Sequence, residues 1–345
     1  MLISVVVPCF NEEAVIERFH ERLTKETSAL GLGSGLGSGL GSGLGSDPGS
    51  SLEFVYVDDG SDDGTLLRLS ALAAEDPRIR YISFSRNFGK EAAMLAGLEH
   101  AAGDALVIMD ADLQHPPELI PRMVELHREG FDQVIARRTR KGDRVTRTLT
   151  ARAYYWLINR FMDVEIVDGA GDFRLLSRRA ADSVTALTEY NRFSKGLFAW
   201  VGYPSTTFSY ENAAREGGQS KWSFGKLLNY GLDGLLSFNN KPLRAAFHFG
   251  VTLMAIAAVY AVWIVGGVLT SGVDTPGYAT LLVVITALAG AQISMMGIVG
   301  EYIGRIYYEV KRRPHYLVKA TNTPTAGVPS AEPAGPRRRV GRPVR

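Results

Sequence analysis

A chain of 345 residues has room for one large domain of about 200 residues and a smaller module. Its 38 Lys/Arg and 36 Asp/Glu leave a net charge of only +2, and residues 311–345 hold nine Lys/Arg against one Glu, so residues 1–310 carry −6 and are no nucleic-acid surface. A single cysteine, Cys9, excludes an intrachain disulfide and suits a reducing compartment, and the six histidines show no metal-ligand spacing.

MLISVVVPCF has no basic n-region and runs straight into Asn11, Glu12 and Glu13, so it reads as a first β-strand and not as a signal peptide. A helical pattern follows from Glu12 to about Ala29, with Val15, Ile16, Phe19 and Leu23 on one face. Residues 30–51 are dominated by a Leu-Gly-Ser-Gly repeat that cannot bury enough apolar surface to offset its ordering entropy, and they are expected to form a flexible loop. LEFVYV then reads as a strand ending at Asp58 and Asp59, GSDDGT as a turn and TLLRLSALAAED as a helix, with Asp59 and Asp62 as candidate caps. IRYIS, KEAAMLAGLEHAA, ALVIM, PELIPRMVELHRE and DQVIA continue the alternation to residue 136. Alternating strand and helix is the pattern of a doubly wound, mostly parallel α/β sheet, whose ligands bind beyond the carboxyl ends of the strands. The PCFNEE, VDDGS and DADLQ turns fall at such ends, whereas the repeat lies in a helix-to-strand connection on the opposite rim.

Two later segments are of another kind. Ala245–Leu269 holds 25 residues and Tyr278–Gly300 holds 23 without Asp, Glu, Lys or Arg. Each is long enough to cross a hydrocarbon core about 30 Å thick, so residues 244–304 are expected to form two transmembrane helices, with a buried hairpin of a soluble protein as the other reading. Lys241 and Arg244 precede the pair, Arg305, Lys311, Arg312 and Arg313 follow it, and the SGVDTPG link has no Lys or Arg. By the positive-inside rule the domain and both termini face the cytoplasm. Residues 221–243 intersperse Leu and aromatic residues with Lys and Asn, as an amphipathic helix lying in the membrane interface does. Residues 305–345 read as a basic, largely disordered cytoplasmic tail. Gly266, Gly267, Gly290 and Gly297 would permit helix packing within or between chains, and a homo-oligomer is expected.

In MDADLQHPPE, Asp110, Asp112 and Gln114 follow ALVIM directly. Alternate side chains of an extended backbone share a face, so these groups can converge, and two carboxylates with an amide oxygen suit a hard cation such as Mg²⁺ or Mn²⁺. The same residues also read as a polar turn before a helix started by Pro116 and Pro117. No GxGxxG follows the first strand and no GxxxxGK[ST] occurs, which leaves dinucleotide and P-loop binding unsupported. An α/β domain with acidic turns, held against a bilayer, suggests a reaction that joins a soluble anionic substrate to a lipid.

PCFNEE, VDDGSDDGT, SRNFGKE, MDADLQHPPE, GDFRLLSRRA, NRFSKGLFAW and QSKW, in this order and followed by two apolar spans, closely resemble the family 2 glycosyltransferases of GT-A fold that act on polyprenyl phosphates. The resemblance covers about residues 2–313, broken by the repeat, and is strongest to bactoprenol glucosyltransferases, with dolichyl-phosphate mannose synthases as cousins. It implies a nucleotide-diphosphate sugar as donor, UDP-glucose first and GDP-mannose as the alternative. It also implies a polyprenyl phosphate as acceptor and inversion in one displacement. Asp110, Asp112 and Gln114 would hold the metal, with Asp112 and Asp172 as catalytic residues. Asp58 would meet the nucleobase, with Pro8, Glu12 and Asp110 lining the donor cleft. Arg215 and Lys221, beside Trp222, would close over the diphosphate. Arg138 and Arg147 would bind the acceptor phosphate.

Each of these has a plainer counterpart. The basic run ARRTRKGDRVTR also reads as a solvated face, Lys221 as an interfacial anchor, and Asp172 as either a base or a residue that orients the sugar or Arg174. A processive polysaccharide synthase fits less well, since two spans hardly make a polymer channel. A non-catalytic scaffold or transporter subunit is the rival from another class, opposed by the intact Asp110, Asp112 and Asp172 and by spans without charge.

Overall fold

Alternate residues of LISVVVPC point to opposite sides of a sheet, and in the computed structural model of the chain both sides are covered. The structure describes residues 1–29, 51–139, 170–210, 241–271 and 277–323. Strand β1 (Leu2–Cys9) lies at the centre, parallel to β2 (Ser51–Asp58) on one side and β4 (Ala105–Ile108) on the other, and β3 (Ile79–Phe84) extends the sheet parallel to β2. Helices α1 (Ile16–Ala29), α2 (Thr65–Glu75) and α3 (Lys90–His100) make the crossovers. Past β4, a 3₁₀ turn (Pro117–Leu119) leads into α4 (Ile120–Arg128) and then β5 (Gln133–Arg138). There follow β6 (Ala170–Ser177), α5 (Arg178–Thr185), α6 (Ser194–Trp200), β7 (Ser205–Tyr210), the long helices α7 (Lys241–Ser271) and α8 (Tyr278–Lys311), and β8 (Val318–Thr321).

Val5, Val7, Phe54 and Tyr56 share one core with Ile16, Phe19 and Leu23 of α1 and Met123 of α4. Val6, Val55 and Val57 share the other with Ala92, Ala93 and Ala96 of α3 and Val184 of α5. The small side chains of α3 let it sit close on the sheet: a Cβ on Gly97 would lie 2.2 Å from Val6 Cγ1.

The strands run β7-β5-β6-β4-β1-β2-β3-β8, the doubly wound, mostly parallel sheet expected. Two strands depart from it. β6 lies antiparallel between β4 and β5, and β8 antiparallel outside β3.

The expected basic, largely disordered tail at 305–345 is corrected over residues 305–321, which hold the end of α8 and all of β8. Helix α8 does not stop where its apolar run stops: Glu301 and Arg305 pair one turn apart at 3.3 Å, and the helix continues to Lys311. Beyond it Tyr316 stacks on Phe84 with ring centroids 4.8 Å apart, donates its hydroxyl to Glu99, and is followed by β8 on the sheet edge. In α7, Leu243–Tyr260 is the one stretch among the described residues long and apolar enough to cross a membrane. Side chains such as Phe247, Met254, Val259, Leu281, Ile293 and Met296 are exposed. The two helices approach at Gly250, whose Cβ position lies 3.9 Å from Met295 Sδ, whereas the Cβ positions of Gly266, Gly290 and Gly297 have nothing within 4 Å. The repeat, residues 221–240 of the expected interfacial segment 221–243, and residues 324–345 lie outside the described residues, while residues 241–243 open α7.

Candidate active site

Two of the acidic turns at the carboxyl rim are laced into one surface. Asn11, in the left-handed region at φ 55°, donates its N–H to Ser61 Oγ at 3.0 Å and accepts the Asp62 N–H on Oδ1 at 3.0 Å. Glu12 donates its N–H to Thr65 Oγ1 at 2.9 Å, and Glu13 accepts the Gly64 N–H at 2.9 Å. The start of α2 is held by Asp63, whose Oδ1 accepts the N–H of Thr65 at 3.0 Å and its hydroxyl at 2.5 Å. This corrects the expectation of Asp62 as the cap: Asp62 is exposed, and the carboxylate two residues before Thr65 is the one within reach of its N–H. Asp59 does not cap α2 either.

Asp58 and Asp59 are both buried, and their tasks differ. Asp58 accepts the Ser61 N–H at 3.0 Å on one oxygen and the Ser83 hydroxyl at 2.7 Å on the other. Asp59 accepts the N–H groups of Phe88 and Gly89 and so fixes the loop before α3. Burial raises Asp59 to about 6, against the pull of those two amides. Gly60 completes the contact. It sits at φ 67°, and a Cβ there would come within 2.3 Å of the Arg86 backbone.

Strand β4 ends at Ile108, and the chain bends over 111–113 with Leu113 left-handed at φ 59°. Asp110, Asp112 and Gln114 therefore share a turn and not the face of a strand, which corrects the alternation expected for them. Asp112 Oδ1 accepts the Gln114 N–H at 3.1 Å, and the Asp110 N–H donates to His115 Nδ1 at 2.9 Å. The His115 ring lies flat on Phe173, 4.9 Å between centroids.

The antiparallel register of β6, with Ile108 opposite Arg174, carries Asp172 to the position across from Asp110. Between them lies Lys90, the first residue of α3. Its Nζ is 2.6 Å from Asp110 Oδ1, 2.9 Å from Asp110 Oδ2 and 2.6 Å from Asp172 Oδ2. Burial by itself would raise Asp172, but the charges of Lys90, Lys195 and Arg174 outweigh it and hold this carboxylate well below the usual range. Lys90, whose side chain is 40% exposed, is held above its ordinary value by the two carboxylates, which outweigh its partial desolvation. Arg174 lies 4.0 Å over the Phe198 ring and donates to Gly171 O at 2.8 Å.

At the end of β5, Arg138 is opposite Tyr210 of β7. Burial pushes the Tyr210 hydroxyl up, Arg138 pulls it down, and Asp110 and Asp112 push it up again, so this phenol lies within electrostatic reach of all three. Of the residues singled out from sequence, Pro8, Glu12, Asp58, Asp110, Asp112, Gln114, Arg138 and Asp172 thus lie at the carboxyl rim. Arg147, Arg215 and Lys221 lie outside the described residues. Lys90, His115 and Tyr210 were not singled out. The lysine stood in plain view in SRNFGKE, but only a tertiary register gives it two carboxylates to face.

Residues 4–185 match the family model Glycosyl transferase family 2, and residues 241–306 match the GtrB C-terminal hairpin. CsbB of Bacillus subtilis (strain 168), named provisionally as a glycosyltransferase, is 45% identical over 339 residues, 98% of this chain and 98% of its own. The SfII prophage-derived bactoprenol glucosyl transferase of Shigella flexneri is 40% identical over 323 residues, 93% of this chain and 99% of its own. Among solved structures, glucosyl-3-phosphoglycerate synthase from Mycobacterium tuberculosis, in complex with Mn²⁺, UDP-glucose and phosphoglyceric acid, is similar over 68% of this chain and 79% of its own, at 25% identity and a TM-score of 0.41.

Proposed function

Because the chain belongs to glycosyl transferase family 2 and is a glycosyltransferase, we propose that it transfers glucose from UDP-glucose to a polyprenyl phosphate, undecaprenyl phosphate, at the cytoplasmic face of a membrane. One observation carries this reading. An acidic cleft crossed by a lysine is joined in a single chain to a pair of long apolar helices, and a relative named bactoprenol glucosyl transferase matches 93% of that chain, helices included.

Asp110, Asp112 and Gln114 fit a divalent cation, Mg²⁺ or Mn²⁺. They put hard oxygen donors on one turn, beside a point where a positive charge, the Lys90 ammonium, already lies between two carboxylates. Such a cation would take its remaining oxygens from phosphates and water. When bound, such a cation neutralises the charge that develops on the leaving diphosphate. Pro8, Glu12 and Asp58 line the nucleotide end. Asp58, whose two oxygens accept the Ser61 N–H and the Ser83 hydroxyl, is assigned to the nucleobase. Arg215 and Lys221 would meet the diphosphate.

The acceptor is a phosphate monoester with a second pKa near ~6, so its oxygen is already an anion at neutral pH and needs no general base. Asp172, tied to Lys90, is a weak base, and its part is to fix the lysine and the sugar between the two substrates. Arg138 and Arg147 hold the acceptor phosphate, for which the guanidinium fork is suited. The phosphate oxygen attacks the anomeric carbon as the bond to the diphosphate breaks on the opposite side, so the centre inverts.

Helices α7 and α8 would span the bilayer with both chain ends in the cytoplasm, residues 221–243 lying in the interface. The exposed faces at Gly266, Gly290 and Gly297 favour a homo-oligomer. The test is a donor panel: purified protein with undecaprenyl phosphate and UDP-glucose, UDP-galactose or GDP-mannose, with Mg²⁺, Mn²⁺ or chelator. Lipid-linked glucose is expected from UDP-glucose and only with a cation. Efficient mannose transfer instead would replace the donor, and no lipid-linked sugar from any donor would refute the acceptor.

A further inference from the structure

We propose that Lys90 is an internal counter-ion that competes with the divalent cation for Asp110, so that the cation binds tightly only in company with the nucleotide. This rests on the metal-dependent reading above. The geometry leaves little room for both charges. The three N–H bonds of the ammonium have three short acceptors, both oxygens of Asp110 at 2.6 and 2.9 Å and Asp172 Oδ2 at 2.6 Å. A divalent cation on Asp110 would sit roughly 2.0 to 2.2 Å from one of those same oxygens, next to the ammonium. The repulsion between them is relieved in two ways when a nucleotide diphosphate arrives: its negative charges offset the cation's, and its oxygens offer Lys90 another partner.

Nothing about the helix itself calls for a cation at this place. Lys90 is the first residue of α3, the end of a helix where the backbone dipole disfavours positive charge. It is put there by the loop before it, since Gly89 at φ 99° adopts a conformation that L residues rarely reach and Asp59 holds the Phe88 and Gly89 amides. A buried framework thus aims an ammonium at the metal turn. Asp172 gives it a second anchor, to which it stays bound when Asp110 changes partner.

By linkage, what the lysine takes from the cation's affinity the nucleotide restores, and couplings of this kind are commonly roughly 5- to 150-fold. Mn²⁺ binding to the full-length protein in detergent, read from the electron paramagnetic resonance of the free ion, tests it without any turnover. Wild type is expected to bind Mn²⁺ weakly alone and tightly with UDP. Lys90→Gln should bind Mn²⁺ alone about tenfold more tightly than wild type, with a correspondingly smaller gain from UDP. Lys90→Met is the second neutral variant, needed if the glutamine protein does not fold, and Lys90→Arg should stay weak. If UDP-dependent binding is intact but both neutral variants bind Mn²⁺ alone no better than wild type, the competition is refuted and the metal reading stands. If no protein binds Mn²⁺ even with UDP, the metal reading falls and the competition falls with it.

Discussion

Asp59 grips the backbone of Gly89: the glycine N–H donates to both oxygens of the carboxylate, at 3.1 and 3.0 Å, and the neighbouring Phe88 N–H adds a third bond at 2.7 Å. Because Gly89 directly precedes Lys90, the carboxylate that holds the loop also sets where the ammonium can reach.

The burial of this carboxylate, which outweighs the pull of the two amides, makes stability depend on pH. Asp59 is raised to about 6, so its contribution to stability is complete below the ordinary carboxylate value and is lost as pH rises through about 6. Asp59→Asn keeps an acceptor oxygen and does not titrate. Between pH 4.5 and 7.5 wild type should lose about 2 kcal/mol relative to the variant, read from paired thermal unfolding curves. A difference between the two proteins that does not change with pH would contradict the assignment.

Asp112→Asn should lower turnover by about 10²- to 10³-fold, the usual effect of removing one preorganised electrostatic contact to a developing charge. The variant should keep the wild-type circular dichroism, because the Asp112 side chain is half-exposed and Asn can still accept the Gln114 N–H. Near-normal turnover with cation present would remove Asp112 from the site.

For Arg138→Ala the expectation is a split between substrates. The Michaelis constant for polyprenyl phosphate should rise about tenfold or more, as loss of a hydrogen bond to a charged group predicts, while that for the nucleotide sugar changes little. A rise for the donor alone would assign the arginine to the other substrate.

At the far edge of the sheet, Tyr316→Ala should destabilise the protein by about 3 to 5 kcal/mol, since it removes a ring stacked on Phe84 and 7% exposed. Tyr316→Phe, which gives up only the bond to Glu99, should cost about 1 kcal/mol. Equal losses in chemical denaturation would mean that the hydroxyl and not the ring fastens this segment.

Deleting residues 32–46 should leave both Michaelis constants and turnover unchanged. The segment joins α1 to the start of β2, which pairs with Leu2 at the amino end of β1, on the rim opposite Asp110. A folded but inactive deletion variant would refute this.

What could be read from sequence divides along a physical line. The β/α alternation and the acidic strand ends are local, written in periodicities of 2 and 3.6 and in turn residues, and β1 to β5 follow them closely. The antiparallel entry of β6 between β4 and β5 is not local, yet it is what brings Asp172 to Asp110 and gives Lys90 its second partner. Helix α8 outran its apolar stretch because hydropathy marks where a helix ceases to be oily, and Glu301 and Arg305 continue the helical turn in polar form. Strand β8 pairs residues some 240 apart, as in Thr321 with Ile82, and its four residues carry no signal of their destination.

That strand has a geometric consequence. Since β8 runs against β3, its first residue, Val318, meets Phe84 at the carboxyl end of β3, so the chain leaving α8 arrives on the same rim as Asp110 and Asp172. From Arg312 to Val318 the link is six residues, a reach of at most about 20 Å. The carboxyl end of α8 is therefore tied within about 20 Å of the rim that carries Asp110 and Asp172. The length of this link thus sets how far the rim of the cleft can lie from the polar end of α8.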